Sequence, residues 1–107
     1  MTVTVLALTS LRPGGEAALE TYLAVVGPLM EAAGARLVSR HATGQTLSDS
    51  APAEFVSLID YPSVDALRQV FDNPAYLALK PVLDRAFSRY EVCVLEPQRS
   101  APVPDRA

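Results

Sequence analysis

The sequence of 107 residues predicts one α+β domain, in which helices cover one face of a four-stranded antiparallel sheet. Four segments are rich in β-branched and apolar residues, and these are typical of strands. Between the first and second, and between the third and fourth, apolar residues recur at helical spacing. Only a short polar loop, residues 48–53, separates the second predicted strand from the third. These two strands are therefore expected to pair antiparallel. The predicted strands are residues 2–11, 35–47, 54–61 and 89–96.

The first strand, residues 2–11, ends at the turn sequence RPGG of residues 12–15. Successive side chains of a strand point to opposite faces, and here both faces are apolar. Val3, Val5 and Ala7 share one face, and Leu6 and Leu8 share the other. A strand of this kind needs cover on both sides.

The first helix is predicted over residues 15–33. Its apolar stripe consists of Leu19, Tyr22, Leu23, Val26, Leu29, Met30 and Ala33. Pro28 removes one helical hydrogen bond, which predicts a kink or a broken last turn at that position. Gly34 follows as the predicted C-terminal cap.

Residues 60–82 have helical periodicity but contain three prolines, which divide them into shorter pieces. Ser63 is the predicted N-cap of a helix over residues 64–72. The pair Asn73-Pro74 starts a second helical segment, because asparagine caps well and proline fits the first helical position. Pro81 similarly starts a piece that extends to about residue 87.

The predicted element order is β-α-β-β-α-β, which is the ferredoxin-like arrangement. Residues 1–97 form this domain, and residues 98–107, rich in proline and polar residues, are predicted to be a flexible tail. Since the helices cover one face and the strands are apolar on both, the second face needs another cover. A second copy of the chain is the simplest cover, which predicts a homodimer of two facing sheets.

Composition argues against several classes of function. The net charge is −3 and the nine basic residues are scattered, which disfavours nucleic-acid and polybasic membrane contacts. One histidine and one cysteine are too few for a typical zinc site or for an internal disulfide, so we expect no metal. The sequence also has no glycine-rich phosphate loop and no flavin or nicotinamide motif, so we expect no bound cofactor. The N-terminal segment has no signal-peptide pattern, and a cytoplasmic setting is the default expectation.

The segments LVSRHATG, SLIDYPSVDAL and FDNPAYLALKPVLDRAF resemble the dimeric α/β-barrel superfamily, and within it a small bacterial branch known as a domain of unknown function. The resemblance covers about residues 3–96 and implies a pocket between the helices and the sheet of each monomer. Superfamily relatives include cofactor-free monooxygenases of antibiotic biosynthesis, haem-degrading enzymes, muconolactone isomerases and polyketide cyclases. Because one fold supports so many activities, the resemblance does not indicate which of them this protein has.

The resemblance places Arg40, Asp60 and Tyr76 on positions that are typical of the branch, whereas His41 stands where the branch tends to have glycine. His41 is the only histidine, so it is a candidate general acid or base in the pocket. The alternative is an ordinary strand histidine that faces solvent, and the sequence favours this alternative.

Arg40 and Asp60 are predicted to lie opposite each other, if residues near 47 and 53 flank the hairpin loop. Directly opposed residues share a face, so the pair would form a cross-strand ion pair at the dimer face. In a functional alternative, Arg40 binds a substrate carboxylate or enolate and Asp60 orients it.

The four tyrosines supply the remaining polar groups of a mainly apolar pocket. Tyr22 and Tyr76 are candidate catalytic residues, Tyr61 is a candidate substrate-binding residue, and Tyr90 adds a further hydroxyl. Each of them is also consistent with a core aromatic whose hydroxyl reaches the rim.

Two functional hypotheses follow. The first is a small homodimeric, metal-free enzyme of monooxygenase, isomerase or cyclase type, acting on an apolar, aromatic or polyketide-like substrate. In it, His41 or a tyrosine moves a proton, and Arg40 or a tyrosine hydroxyl stabilises an enolate-like anion. The second is a non-catalytic dimer that binds a small ligand or a partner protein.

Overall fold

Four strands and four helices follow one another along residues 1–97, the part of the chain that the computed structural model describes. The predicted flexible tail, residues 98–107, lies outside this part. The elements are β1 (Val3–Leu11), α1 (Glu16–Ala32), β2 (Arg36–Ala42), β3 (Phe55–Tyr61), α2 (Val64–Phe71), α3 (Pro74–Leu77), α4 (Lys80–Ala86) and β4 (Phe87–Leu95).

The strands form one antiparallel sheet in the order β2-β3-β1-β4. The central strand β1 pairs with β3 on one side and β4 on the other, so that Val5 lies opposite both Ile59 and Val94. This confirms the predicted ferredoxin-like α+β fold. Among the described residues, no helix is both long and apolar enough to cross a membrane.

The prolines of the α2–α4 region act as boundaries between helices. The Ser63 hydroxyl accepts a hydrogen bond from the Ala66 amide at 3.0 Å, so the predicted cap of α2 is confirmed. The Asn73 side chain accepts one from the Ala75 amide at 2.9 Å, with Pro74 at the start of α3. These two caps fix the corner that carries Tyr76 between α2 and α4.

Helix α1 continues from Glu16 to Ala32 with Pro28 inside it, so the last turn is not broken at the proline. Pro28 has no amide hydrogen to donate to the carbonyl of Ala24. Both residues are exposed, and water can bond to that carbonyl in place of the lost donor.

Strand β2 ends at Ala42, five residues before its predicted end, and the hairpin loop is correspondingly longer. The Thr43 amide still donates to the Glu54 carbonyl at 2.9 Å, and the chain then leaves the sheet. A register shift between Leu37 and Ser39 adds a further offset. As a result Asp60 lies opposite Arg36, and the predicted pairing of Asp60 with Arg40 is wrong.

The core lies between the sheet and the helices. Residues from alternate positions of β1 and β3 pack there against small and branched residues of α1 and α2. The main cluster consists of Val5, Ala33, Ile59, Tyr61, Ala66 and Val70. A second cluster of Ala18, Ala86 and Phe87 joins α1 to the junction of α4 and β4.

The opposite face of the sheet, which we call the open face, carries the other alternate residues. Leu6 lies opposite both Leu58 and Cys93, and Leu8 lies opposite Val56. All four apolar side chains are only half-buried and Cys93 is exposed. Large apolar side chains at the centre of an exposed face are typical of an interface.

Gly34 ends α1 in the left-handed conformation, with φ of 76°. Its amide donates to the Glu31 carbonyl at 3.1 Å, and the Ala35 amide donates to the Met30 carbonyl at 2.9 Å. These two bonds satisfy carbonyls at the helix end in a Schellman motif. The prediction that Gly34 ends the helix is therefore confirmed.

Replacing Gly34 by Ala is expected to lower the free energy of unfolding by about 1–2 kcal/mol, because alanine is strained at positive φ. Its added Cβ would also meet Pro62 Cγ at 3.1 Å. Gly27→Ala in the same helix is the matched control, since Gly27 has no positive φ and, apart from its chain neighbours and its own helix, nothing lies within 4 Å of its added Cβ. Helix propensity favours this change and the new Cβ beside Pro28 opposes it, so the free energy should change by less than about 1 kcal/mol. Urea unfolding of both variants checks the prediction, and equal effects would contradict it.

Candidate functional site

A cleft of about 470 Å³ lies between α2 and α3 on one side and the strands β1 and β4 on the other. We call it the main cleft. Its apolar lining consists of Val5, Leu67, Phe71, Val92 and Val94, and Cys93 of β4 also borders it. Ligand pockets commonly have volumes of roughly 300–1,000 Å³ and mostly apolar walls, so this cleft has the dimensions of a small-molecule site.

The polar lining of the main cleft comes from two helices and one strand. Arg68 lies on α2 and Asp72 one turn later, as the C-terminal cap of that helix, while Tyr76 lies on α3 and Tyr90 on β4. Residues four apart on a helix share a face, which brings Arg68 and Asp72 to the same wall. The cleft thus combines an apolar body with a cation, a carboxylate and two phenols.

Three tyrosine hydroxyls meet beside the main cleft, and we call Tyr22, Tyr76 and Tyr90 the tyrosine cluster. The Tyr90 hydroxyl lies 2.9 Å from that of Tyr76 and 3.2 Å from that of Tyr22. Edge-on aromatic contacts hold the rings: Tyr22 packs on Phe87 with centroids 5.2 Å apart, and Phe71 packs on Tyr76 at 5.0 Å. The cluster joins α1, α3 and β4 through side chains far apart in sequence.

The tyrosine cluster has one O–H group that is not used by hydrogen bonds within the cluster. Each hydroxyl has a single O–H, and two hydrogen bonds within the cluster use two of the three. If Tyr22 donates to Tyr90 and Tyr90 to Tyr76, the free O–H is that of Tyr76, which lines the main cleft. Chains of hydrogen bonds polarise one another, so a terminal Tyr76 would be a strengthened donor toward an acceptor in the cleft.

Burial raises the pKa of three tyrosines, Tyr22, Tyr61 and Tyr90. It is the main cause that raises the pKa of Tyr90 and of Tyr22 above the ordinary 10.0, and the nearby phenol of Tyr22 adds to the effect on Tyr90. Burial also raises the pKa of Tyr61 to about 12. At neutral pH these three phenols are therefore hydrogen-bond donors and not bases.

The raised pKa values predict a loss of stability in alkali. A group whose pKa is higher in the folded than in the unfolded chain favours folding below the unfolded value and loses that effect as pH rises. For Tyr61 the stability should therefore fall between pH 10.0 and about 12. Tyrosinate absorbance of the native protein should lag behind that of the chain unfolded in urea. Coincident titration curves would contradict the burial of the phenols.

The structure brings together two of the predicted site residues, Tyr22 and Tyr76, through the hydroxyl of Tyr90. Sequence reasoning counted Tyr90 among the available hydroxyls without giving it a role. The third predicted tyrosine, Tyr61, is only 2% exposed and lies in the core, with its ring centroid 6.3 Å from that of Phe71. Tyr61 supports Phe71 from behind and does not line the main cleft.

His41 and Arg40 lie on β2, at the far edge of the sheet from β4. His41 is exposed on the open face, opposite Val56. Arg40 is on the helix side, where its guanidinium carbon lies 4.9 Å from the Phe55 ring centroid. Neither residue lines the main cleft of its own chain.

Asp60 is on the open face, where its two carboxylate oxygens have different partners. Thr4 donates to one of them at 2.7 Å, and the Arg36 guanidinium donates to the other at 3.1 Å. Arg36 thus occupies the place that the sequence prediction gave to Arg40. Sequence reasoning also missed Arg68 and Asp72, whose only signal was their shared face on α2.

Among residues 1–97, no group of three or more His, Cys, Asp or Glu side chains is placed to hold a metal ion. The chemistry that the main cleft itself offers is hydrogen bonding from phenols, one carboxylate and one guanidinium. Such a set can bind an apolar molecule by a single oxygen and can stabilise negative charge on that oxygen.

A four-stranded sheet in this order, with helices on one face and a cleft at the β4 edge, defines an α+β protein of the ferredoxin-like class. Within that class, the profile of the family described as "Domain of unknown function (DUF1330)" matches residues 4–97. The chain belongs to this family, which confirms the resemblance predicted from the sequence. A comparison with curated proteins gives no match.

Solved structures share the fold at low sequence identity. The RPA0582 protein of Rhodopseudomonas palustris, of unknown function, is 22% identical over 92% of this chain and 84% of its own, with a TM-score of 0.74. SnoaB of Streptomyces nogalater, a cofactor-independent oxygenase, is 16% identical over 95% and 98%, with a TM-score of 0.57. A dimeric ferredoxin-like protein of unknown function from Bacteroides fragilis is 11% identical over 89% and 95%, with a TM-score of 0.52.

Proposed function

We propose that the protein is a cofactor-independent enzyme that acts on a small aromatic or polyketide-like ketone or phenol through an enolate-like anion. The observation that carries the proposal is the tyrosine cluster at the wall of an apolar cleft, with Tyr76 and Tyr90 both in the lining. Phenolic donors aimed at an oxygen stabilise the negative charge that develops there. The fold shared with a cofactor-independent oxygenase is consistent with this class of chemistry.

The proposed step is removal of a proton from the carbon beside the substrate carbonyl. The C–H bond breaks, its electron pair forms the enolate C=C bond, and the carbonyl π pair moves to the oxygen. Tyr76 donates a hydrogen bond to that oxygen. Asp72, the carboxylate in the same lining, accepts the proton. Isomerisation, cyclisation and oxygenation can all proceed from this anion, and the proposal does not select among them.

Exchange of hydrogen for deuterium tests this step without knowledge of the natural substrate. β-Tetralone has a bicyclic apolar body and acidic hydrogens beside its carbonyl. In deuterium oxide, the protein should accelerate their exchange, as followed by NMR. Tyr76→Phe and Asp72→Asn should each slow the catalysed exchange by about 100-fold, the loss typical of one proton-transfer or oxyanion group. Arg85→Gln, at an exposed position of α4, is a control that should have no effect.

The second hypothesis, a non-catalytic ligand-binding protein, is favoured by one observation. His41, the predicted base, lies on the open face and away from the main cleft. If β-tetralone binds and no exchange is accelerated, the binding function stands and the enzymatic proposal fails. His41→Ala should leave both binding and exchange unchanged, and a loss of exchange in this variant would return the role of base to His41.

A homodimer through the open face is part of the proposal. It is supported by the half-buried leucines Leu6, Leu8 and Leu58 at the centre of that face, and by the dimeric state of the Bacteroides fragilis protein that shares the fold. The cytoplasmic setting and the small-molecule partner also stay predictions.

A further inference from the structure

A second cleft, of about 250 Å³, lies beside the main cleft and is lined by Arg12, Lys80, Ser88 and Tyr90 among others. Tyr90 borders both clefts. The main cleft follows β4 at Val92 and Val94, whereas the second follows the same strand at its beginning, near Ser88. The two clefts therefore lie in line along β4, with Tyr90 between them.

Two cations face the second cleft. Among residues 1–97, no carboxylate lies within 4.0 Å of the Arg12 guanidinium or of the ammonium of Lys80, the only lysine in the sequence. Asp84 also lines this cleft, so its wall carries two positive charges and one negative charge. This net positive charge favours binding of an anionic group in the second cleft. The mainly apolar walls of the main cleft offer no comparable site for an anion.

Arg12 is held in place by the backbone. Its Nε donates to the Asp84 carbonyl at 2.9 Å and one of its terminal nitrogens donates to the Phe87 carbonyl at 3.2 Å. A guanidinium has five N–H donors, so these two bonds fix its plane and leave others available. A guanidinium of fixed orientation suits the two oxygens of a carboxylate.

We propose that the second cleft is a carboxylate subsite for the molecule whose apolar body occupies the main cleft. The inference rests on the proposed function and narrows its substrate class to aromatic or polyketide-like carboxylic acids. Such a ligand lies along β4, with its apolar end at Val92 and Val94 and its carboxylate between Arg12 and Lys80. Tyr76 and Tyr90 then meet its middle portion.

The test compares two probes with the same apolar body, phenylbutyrate and phenylbutyramide, by calorimetric titration of the intact protein. The first carries a negative charge, and the second is a neutral amide of nearly the same shape. The wild type should bind the carboxylate more tightly than the amide, and the difference should shrink with added salt. Lys80→Gln should weaken carboxylate binding by about three- to fivefold, as expected for a partly exposed ion pair, and leave amide binding unchanged. Arg85→Gln is the matched control, since it removes one positive charge from the same helix outside the cleft.

The possible results separate the subsite from the function on which it rests. Equal binding of the two probes, or an unchanged preference in Lys80→Gln, would overturn the carboxylate subsite and leave the main cleft in place. If only Arg68→Gln abolishes the preference for the carboxylate over the amide, the carboxylate binds at the wall of the main cleft. That result would also overturn the proposed subsite. Failure of both probes to bind the wild type would contradict the cleft and the subsite together.

Discussion

Replacing Leu6 by Lys is expected to convert the proposed dimer into a folded monomer. Leu6 is at the centre of the open face, between Leu58 and Cys93 on the neighbouring strands. In a two-fold dimer each change occurs twice, and a central apolar contact contributes about 2 kcal/mol or more per copy. The dissociation constant should therefore rise by about a thousandfold. Sedimentation of both proteins over a range of concentrations measures it.

Leu23→Lys is the matched control, because it places the same charge at an exposed leucine (55%) of α1, on the other side of the sheet. It should remain a dimer. The single thiol gives a second measurement, since Cys93 should react slowly with a thiol reagent in the dimer and quickly in Leu6→Lys. A wild-type monomer, or equal behaviour of the two lysine variants, would contradict an interface on the open face.

Replacing Val92 by Trp should reduce the affinity for β-tetralone by at least about tenfold, because the indole enters the main cleft beside Tyr90. The added side chain occupies existing space, so the protein should remain folded. Val94→Trp fills the end of the same cleft from a half-exposed position and should also weaken binding. Weaker binding in both variants, with both still folded, would show that filling the cleft and not unfolding causes the loss of affinity.

Val64→Trp introduces the same side chain at the exposed start of α2, outside the cleft lining, and should bind β-tetralone normally. The natural chain has no tryptophan, so fluorescence reports on each variant directly. Emission should be at shorter wavelength for Trp at position 92 than at position 64. Equal loss of binding in all three variants would contradict a ligand site in the main cleft.

The sequence predicts the order of elements well because local signals mark their ends. Ser63 and Asn73 act as caps in the structure, and Gly34 ends α1 in the left-handed conformation that glycine adopts most easily. These are interactions between near neighbours in the chain. The apolar faces of β1 are equally local, since they follow from strand alternation alone.

Register depends on contacts that the sequence does not reveal. Nothing in residues 43–54 states where the hairpin loop begins, and the irregularity near Val38 shifts the pairing again. An error of a few residues in the loop was enough to pair Asp60 with Arg40 in place of Arg36.

The site was predictable only in part, for a related reason. The helical stripe identifies Tyr22 as inward-facing, and the Pro74 corner places Tyr76, but neither pattern shows that both hydroxyls reach Tyr90. Such a cluster joins residues that are far apart along the chain. The lone histidine drew attention by its chemistry, yet its strand position puts it on the open face.

The central claim is that a small oxygen-bearing aromatic molecule binds in the main cleft, and amide chemical shifts test it most directly. A titration of the isotopically labelled protein with β-tetralone should shift the amides of Phe71, Val92 and Val94 and leave those of Leu6 and Leu58 unchanged. Tetralin, which has the same body without the oxygen, should bind more weakly, and Tyr76→Phe should remove that difference. Shifts confined to the open face, or no shifts at all, would contradict the claim.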